Sequence, residues 1–421
     1  AAKICAAKRR ISASRRRRFA AVARCATVWG TPTRVSKHMK RKEPAATGSR
    51  VFNQSRRHLL SAAGKGLAGA ALGGLTAGSP RASRASDSRP VRWGFVGTGS
   101  IANAMADVLQ TAPSATLAAV SSRRMESARA FADKFSADRA FDSWEAMAAW
   151  KGVDALYVAT PTSVREEISI AAANHGKHVL AGKPFASHPS VQRITAACRE
   201  NDVAFMDGTH FVHHPRTTSI QSRMTDQIGT PWSVDSAFQF SLPDRSNIRY
   251  DPNLEPMGAI GDAGWYNMRA AVEFLSPEAV LQASDAYLRR DRETGAAIGG
   301  SGILAFDGGA TSTWNCGFDS GAVVMDLRVS GRVGSINIDD FLGQDPDNSA
   351  KYLYRKGGWG PGAVRESIRI ESALSGAALM FEDFAAAIAD ASLRARWMQA
   401  SERTQALLDA AWESAMQNKQ G

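Results

Sequence analysis

The sequence predicts an α/β chain: a doubly wound parallel sheet first, then an α+β domain on a large, open, mostly antiparallel sheet. Three observations predict it. Strand-like and helix-like stretches alternate from Val91 to Met206, as in parallel sheets with helical crossovers. After Pro215, short strands follow one another without helices between them, the pattern of an antiparallel or mixed sheet. The chain of 421 residues is 44% hydrophobic, enough for two full cores. Domains are therefore expected at 89–210 and 211–421, the last helices packing back on the first domain, with residues 1–88 outside both.

In chain order, residues 92–97 read as an apolar strand that breaks on Gly97-Thr98-Gly99-Ser100 and enters a helix over 101–109. Strands are expected at 117–120, 154–159, 178–181 and 203–206, alternating with helices at 125–135, 165–174 and 191–199. In the second domain the strand-like pieces are 232–240, 280–288, 301–306, 310–316, 323–330 and 333–338. Helical spacing recurs at 268–275, 380–388 and 404–416, and the Gly-, Asp- and Pro-rich segment 342–364 reads as a loop.

Charge separates the leader from the rest. Residues 1–90 hold 21 Lys and Arg against 2 Asp and Glu, a net of +19, so the chain's +12 leaves −7 for the remainder. A mildly acidic folded part argues against nucleic-acid binding. Residues 1–50, rich in Arg, Ala and Ser with Glu43 the only acid, resemble an organellar transit peptide. Ser55-Arg56-Arg57-His58-Leu59-Leu60, a weakly apolar stretch and then small residues near 83–86 resemble a twin-arginine export signal over 55–86. That stretch is too short and glycine-rich for a stable membrane span. A plastid-to-thylakoid-lumen signal is expected, with a bacterial periplasmic signal as the alternative. Of four cysteines, Cys198 and Cys316 lie in the body and read as buried thiols.

The turn after the first strand has the makings of a nucleotide cradle. Gly97 permits the tight turn, Gly99 lets backbone approach a pyrophosphate, and Ala102 lets the helix pack close to the strand. The helix start at Ser100 and Ile101 then offers N–H groups and a positive dipole end to phosphate. At the end of the second strand an acid would hold a ribose 2′-hydroxyl. The chain has Ser121, Ser122, Arg123 and Arg124 there, which suits a 2′-phosphate and so favours NADP over NAD. The bland alternative is a solvated basic helix start. Lys183-Pro184 ends another strand at the carboxyl edge, where ligands bind such sheets. Asp262-Ala263-Gly264-Trp265-Tyr266 supplies a phenol, and a nearby lysine cation is expected to lower its pKa for proton exchange with a carbinol or carbonyl. Asp262 can cap the following helix and orient Tyr266 as well. His210, His213 and His214 have no carboxylate or cysteine at ligand spacing, so no metal is expected. His210, His214 and Arg216 are instead candidates for contacts to substrate.

Gly97-Thr98-Gly99-Ser100-Ile101-Ala102, Ala159-Thr160-Pro161-Thr162, Gly176-Lys177-His178-Val179, Lys183-Pro184 and Asp262-Ala263-Gly264-Trp265-Tyr266 together resemble the Gfo/Idh/MocA oxidoreductase family, across about 91–416. Phe205-Met206-Asp207-Gly208-Thr209 and His213-His214-Pro215-Arg216-Thr217 look nearest the glucose–fructose oxidoreductase and dihydrodiol dehydrogenase branch. The resemblance implies a Rossmann domain and hydride transfer between NADP(H) and a carbohydrate-like small molecule: a sugar, polyol or dihydrodiol. It implies that Thr160 and Pro161 line the cofactor, that Lys183 is the lysine of the family's Glu-Lys-Pro motif, that Tyr266 is the acid/base and that Asp262 is the acid preceding it. It also implies a homo-oligomer paired through the second sheet. The chain departs from the motif at Gly182, where the family has Glu. Two rival readings are a cofactor-retaining enzyme of redox-neutral glycoside cleavage and a non-enzymatic nucleotide-binding regulator.

Overall fold

A computed structural model describes residues 89–418. The leader, with its transit-like and twin-arginine-like segments, lies outside the described residues.

Six parallel strands form the first sheet: β1 (Val91–Val96), β2 (Ala115–Ser121), β3 (Arg139–Phe141), β4 (Ala155–Val158), β5 (His178–Ala181) and β6 (Phe205–Asp207). Their spatial order is β3-β2-β1-β4-β5-β6, the doubly wound order whose reversal lies between β1 and β4. The crossovers are α1 (Ser100–Leu109), α2 (Met125–Phe135), α3 (Trp144–Ala149), α4 (Thr162–Asn174) and α5 (His188–Glu200). Strands β1 and β4 are buried over four successive positions and β5 over three, because helices cover both faces. β3 and α3 were not expected from sequence; three strand residues and a six-residue helix are too short to show a period.

The second sheet has eight strands: β7 (Pro231–Ser241), β8 (Leu281–Arg290), β9 (Ala297–Phe306), β10 (Thr311–Gly317), β11 (Asp319–Gly331), β12 (Gly334–Ile338), β13 (Ala350–Lys356) and β14 (Val364–Ile370). The order is β14-β13-β12-β11-β7-β10-β9-β8; β7 and β10 run parallel and the other neighbours antiparallel. The segment 342–364 is thus only partly a loop: it contains β13, whose buried Ala350, Tyr352 and Tyr354 alternate with more exposed residues. Three more helices, α6 (Pro215–Arg223), α7 (Gly258–Asp262) and α8 (Gly264–Phe274), precede or cover this sheet.

The last two helices, α9 (Gly376–Ala389) and α10 (Ala391–Gln417), return to the first domain. Phe381 and Phe384 of α9 lie 5.1 and 4.9 Å from the buried ring of Trp93 in β1. Glu382 accepts hydrogen bonds from the backbone and hydroxyl of Ser114. In α10, Ser401 donates to Asp207, whose carboxylate also pairs with Arg269 of α8 at 2.7 Å. Both partners of that pair are 1% exposed, and Arg269 also holds Glu273, so its charge is compensated on both sides. A buried pair of this kind locks β6, α8 and α10 in one register. Cys198 and Cys316 are both free and buried. Among the described residues no helix is long and apolar enough to cross a membrane.

Candidate active site

The glycine turn comes first in the chain and is built almost wholly from backbone. Gly97 sits at φ +103°, a region L side chains avoid, and a Cβ there would lie 3.2 Å from the Ala159 carbonyl. At Gly99 a Cβ would meet nothing within 4 Å, so the turn opens onto free space. Gly99 is also the N-cap of α1, and no side chain caps that helix end. The N–H groups of its first turn are therefore presented outward, beside the half-exposed Ile101. Asn103 braces the turn by donating to the carbonyls of Thr98 and Gly99. Thr98 and Ser122 bring their hydroxyls to 3.4 Å, and Arg123 is exposed beside them. A nucleotide diphosphate fits this cradle on three counts: open space, unopposed N–H groups, and hydroxyl and guanidinium donors at the far end.

Thr160 and Pro161 follow β4 on the same carboxyl edge. Pro161 precedes α4, whose first N–H and hydroxyl at Thr162 both donate to Glu255, at 3.1 and 2.6 Å. Glu255 belongs to the segment between β7 and α7, so that segment caps α4 from a distance of 93 residues.

Lys183 leaves the end of β5 through a cis Lys183-Pro184 bond. Its Nζ donates to the Asp262 carboxylate at 2.7 Å and to the Asp262 carbonyl at 2.6 Å. Gly261 allows this approach, because a Cβ there would lie 2.9 Å from the Pro184 ring. The break between α7 and α8 turns Asp262 and Tyr266 toward the same lysine. Lys183 Nζ stands 4.5 Å above the centre of the Tyr266 ring. Around that ring lie His210, Phe211 and Phe238, at centroid distances of 5.8, 6.4 and 5.5 Å. This aromatic wall beside a charged floor suits the C–H and O–H faces of a small polyhydroxylated molecule.

Sequence reasoning missed Arg249. Its guanidinium donates to both oxygens of Asp262, at 2.7 and 3.3 Å, so one carboxylate serves two cations. Burial raises the Asp262 carboxyl, but Arg249 and Lys183 outweigh it and hold the group well below the ordinary carboxylate range. Lys183 is lowered, chiefly by burial, with Asp262 opposing. Tyr266 is raised by burial and then by the Asp262 charge. The expected lowering of the phenol by the lysine is therefore not found: the lysine lies over the ring face and gives its hydrogen bonds to Asp262. Asp262 does not cap α8 either; Ala263 holds the cap position and no side chain caps it.

Two of the three expected substrate contacts belong to the framework. His214 accepts from the Arg216 N–H and bonds the Asn348 carbonyl, while Arg216 donates to the carbonyls of Asp340 and Phe341. Both are buried, 3% and 4% exposed, because they tie α6 to the segment that follows β12. His210 alone reaches the Tyr266 ring; its pKa is pushed down to about 4 by burial, so it is neutral at physiological pH. His213 turns away to Asp383 and stacks on Trp397. Among the described residues no three His, Cys, Asp or Glu side chains converge as a metal site would require.

Comparison with known proteins agrees with this geometry. Residues 91–209 match the family model described as "Oxidoreductase family, NAD-binding Rossmann fold", and residues 224–337 match the "GFO/IDH/MocA C-terminal domain". An NADP(+) D-xylose 1-dehydrogenase of Haloferax volcanii is 32% identical over 244 residues, covering 57% of this chain and 73% of the relative. The dTDP-3,4-didehydro-2,6-dideoxy-alpha-D-glucose 3-reductase of Actinomadura kijaniata is 30% identical over 236 residues, covering 55% and 70%. A 3-ketoreductase from Actinomadura kijaniata, solved with NADP and TDP-benzene, superposes with a TM-score of 0.68 at 25% identity, over 77% of this chain and 98% of its own. With both domain models matched in order around one glycine turn and one Lys183–Asp262–Tyr266 cluster, the chain belongs to the Gfo/Idh/MocA oxidoreductase family.

Proposed function

We propose that this chain is an NADP(H)-dependent oxidoreductase that interconverts a carbinol and a carbonyl on a sugar, polyol or dihydrodiol. The observation that carries the reading is Lys183 Nζ, 2.7 Å from Asp262 and 4.5 Å above the Tyr266 ring, at the same sheet edge as the glycine turn. The xylose dehydrogenase and the dTDP-sugar reductase among the relatives support a carbohydrate substrate.

Gly97, Thr98, Gly99, Ser100 and Ile101 would hold the pyrophosphate, Ser122 and Arg123 the 2′-phosphate, and Thr160 and Pro161 the nicotinamide half. Bound there, NADP(H) supplies or accepts the hydride. The chain's own residues handle the proton. Tyr266 stays protonated at neutral pH because burial and the Asp262 charge both oppose the phenolate. In reduction it is the donor to the carbonyl oxygen. Oxidation is the same step reversed: Tyr266 takes the carbinol proton as its own passes on to the Lys183 amine, which burial makes easier to deprotonate. Asp262 fixes the lysine, Arg249 fixes Asp262, and His210 is the substrate contact that the geometry favours.

The test is a panel of aldoses, polyols and dihydrodiols with NADP+, and of keto sugars with NADPH, read by reduced-nicotinamide absorbance. A change with at least one compound is expected. Tight NADPH binding with no change on any compound would overturn the reading and favour a redox-neutral or regulatory role.

Three finer readings accompany it. The large sheet exposes a face lined by Asp235, Asn315, Arg328, Asn337 and Arg355, which we assign to pairing of two copies, tested by sedimentation of the purified chain. The leader directs the protein to the thylakoid lumen, or to a periplasm, tested by import with Arg56 and Arg57 replaced by Lys. Because those compartments do not replenish nicotinamide nucleotides, the cofactor travels bound, and protein purified from its native compartment is expected to carry it by mass spectrometry.

A further inference from the structure

Gly182 stands where the family motif has Glu, and its surroundings show what fills that volume. A Cβ built at Gly182 would lie 3.2 Å from the Val158 carbonyl, 3.3 Å from Nη2 of Arg165 and 3.4 Å from its Nε. The guanidinium of Arg165 thus occupies the space into which a side chain at 182 would start. It is fully enclosed and joins three pieces of the site. One amino group donates to the Pro184 carbonyl and to the Thr162 hydroxyl, and the other to the Thr160 carbonyl at 2.5 Å. The remaining donor, Nε, is buried without a hydrogen-bond partner and lies on the Gly182 side.

A buried guanidinium held only by neutral acceptors is uncommon, because removing a full charge from water normally requires a carboxylate. No carboxylate among the described residues pairs with Arg165; Glu255 and Asp262 act on it only at longer range. Its neighbours are Thr160, which the family resemblance puts against the cofactor, and the Lys183-Pro184 turn.

We propose that Arg165 is a positioning residue for NADP(H) binding in this chain: from the space beside Gly182 its guanidinium ties the Thr160 carbonyl to the Pro184 carbonyl and so holds both turns where the nicotinamide half would rest. The inference rests on the reading that the site holds NADP(H). Gly182 leaves room for the guanidinium, and a side chain at 182 would displace it.

The test is NADPH affinity by calorimetric titration, with unfolding temperature recorded alongside, for the wild type and four variants. R165M is expected to weaken NADPH at least tenfold, because the Thr160 and Pro184 turns lose their common tie. R165K retains part of the affinity. G182E also weakens NADPH, because the new carboxylate draws the guanidinium off the Thr160 and Pro184 carbonyls. G182E combined with R165M regains affinity over R165M alone, because the acid then has the space to itself. A folded R165M with wild-type affinity, or a G182E that binds NADPH more tightly than wild type, would overturn the proposal. If R165M does not fold, R165K and G182E still decide it. A wild-type chain that binds no NADPH would instead sink the functional reading on which the proposal rests.

Discussion

The glycine turn at Gly97–Ser100 and the cluster around Lys183 face the same sheet edge but are made of opposite materials. The turn is backbone and open space: no atom lies within 4 Å of a Cβ at Gly99, and no side chain caps the helix behind it. The cluster is side chains already bound to one another, with Lys183 and Arg249 sharing the Asp262 carboxylate. The first is completed only by a ligand; the second is held complete by the fold. Changes on the open side of the turn, at Gly99, should therefore alter affinity with little effect on stability, whereas changes in the cluster should alter pH dependence, turnover and packing together.

The largest expected effect on affinity tests the first half of that contrast. Gly99→Val is expected to weaken NADPH by about a hundredfold, the worth of two or so lost phosphate contacts, while leaving the unfolding temperature within error. Gly97→Val, two residues earlier, should instead destabilise the fold by about 1–3 kcal/mol, because its φ of +103° excludes a branched side chain. Equal stability losses in both would break the comparison. A smaller effect is expected at the far end of the cradle. Arg123→Ala should weaken NADPH by roughly tenfold and leave NADH unchanged, since only the 2′-phosphate loses a charged partner. Equal losses for both nucleotides would place Arg123 elsewhere.

The smallest effect belongs to the cluster. Arg249 lowers Lys183 by repulsion, so removing its charge in Arg249→Gln should raise the lysine pKa. The limb of the pH–rate profile that requires a neutral amine then moves to higher pH, with solvent screening of a partly exposed guanidinium limiting the shift. A shift to lower pH would contradict the shared-carboxylate account. Asp262 gives the matching stability signature. Its folded pKa is depressed, so its contribution is full above the unfolded carboxyl value and is lost as pH falls toward the folded one.

The same contrast explains what could be read from sequence. The turn is local: strand, two glycines and helix lie within Val91–Leu109, and each residue's role follows from its neighbours. Lys183 and Tyr266 were legible as motif residues, but their relation was not, because nothing in the chain says that the lysine would lie over the ring instead of at its hydroxyl. Arg249 sits in an unremarkable polar segment, and only the approach of that segment to α4 and α7 brings it to Asp262. His214 and Arg216 looked functional because buried framework polar residues and substrate contacts are the same residue types. For β13 a signal existed: Ala350, Tyr352 and Tyr354 alternate as a half-buried strand should, between glycine- and proline-rich flanks that disguised it.

The central claim is that Tyr266 handles the proton at a site where NADP(H) binds independently of it. It is tested most directly by Tyr266→Phe, assayed for turnover on the best substrate of the sugar and polyol panel and for NADPH affinity by titration. The account predicts a loss of turnover of about a hundredfold or more, with NADPH affinity within about twofold of wild type. Turnover at the wild-type rate in that variant would contradict it.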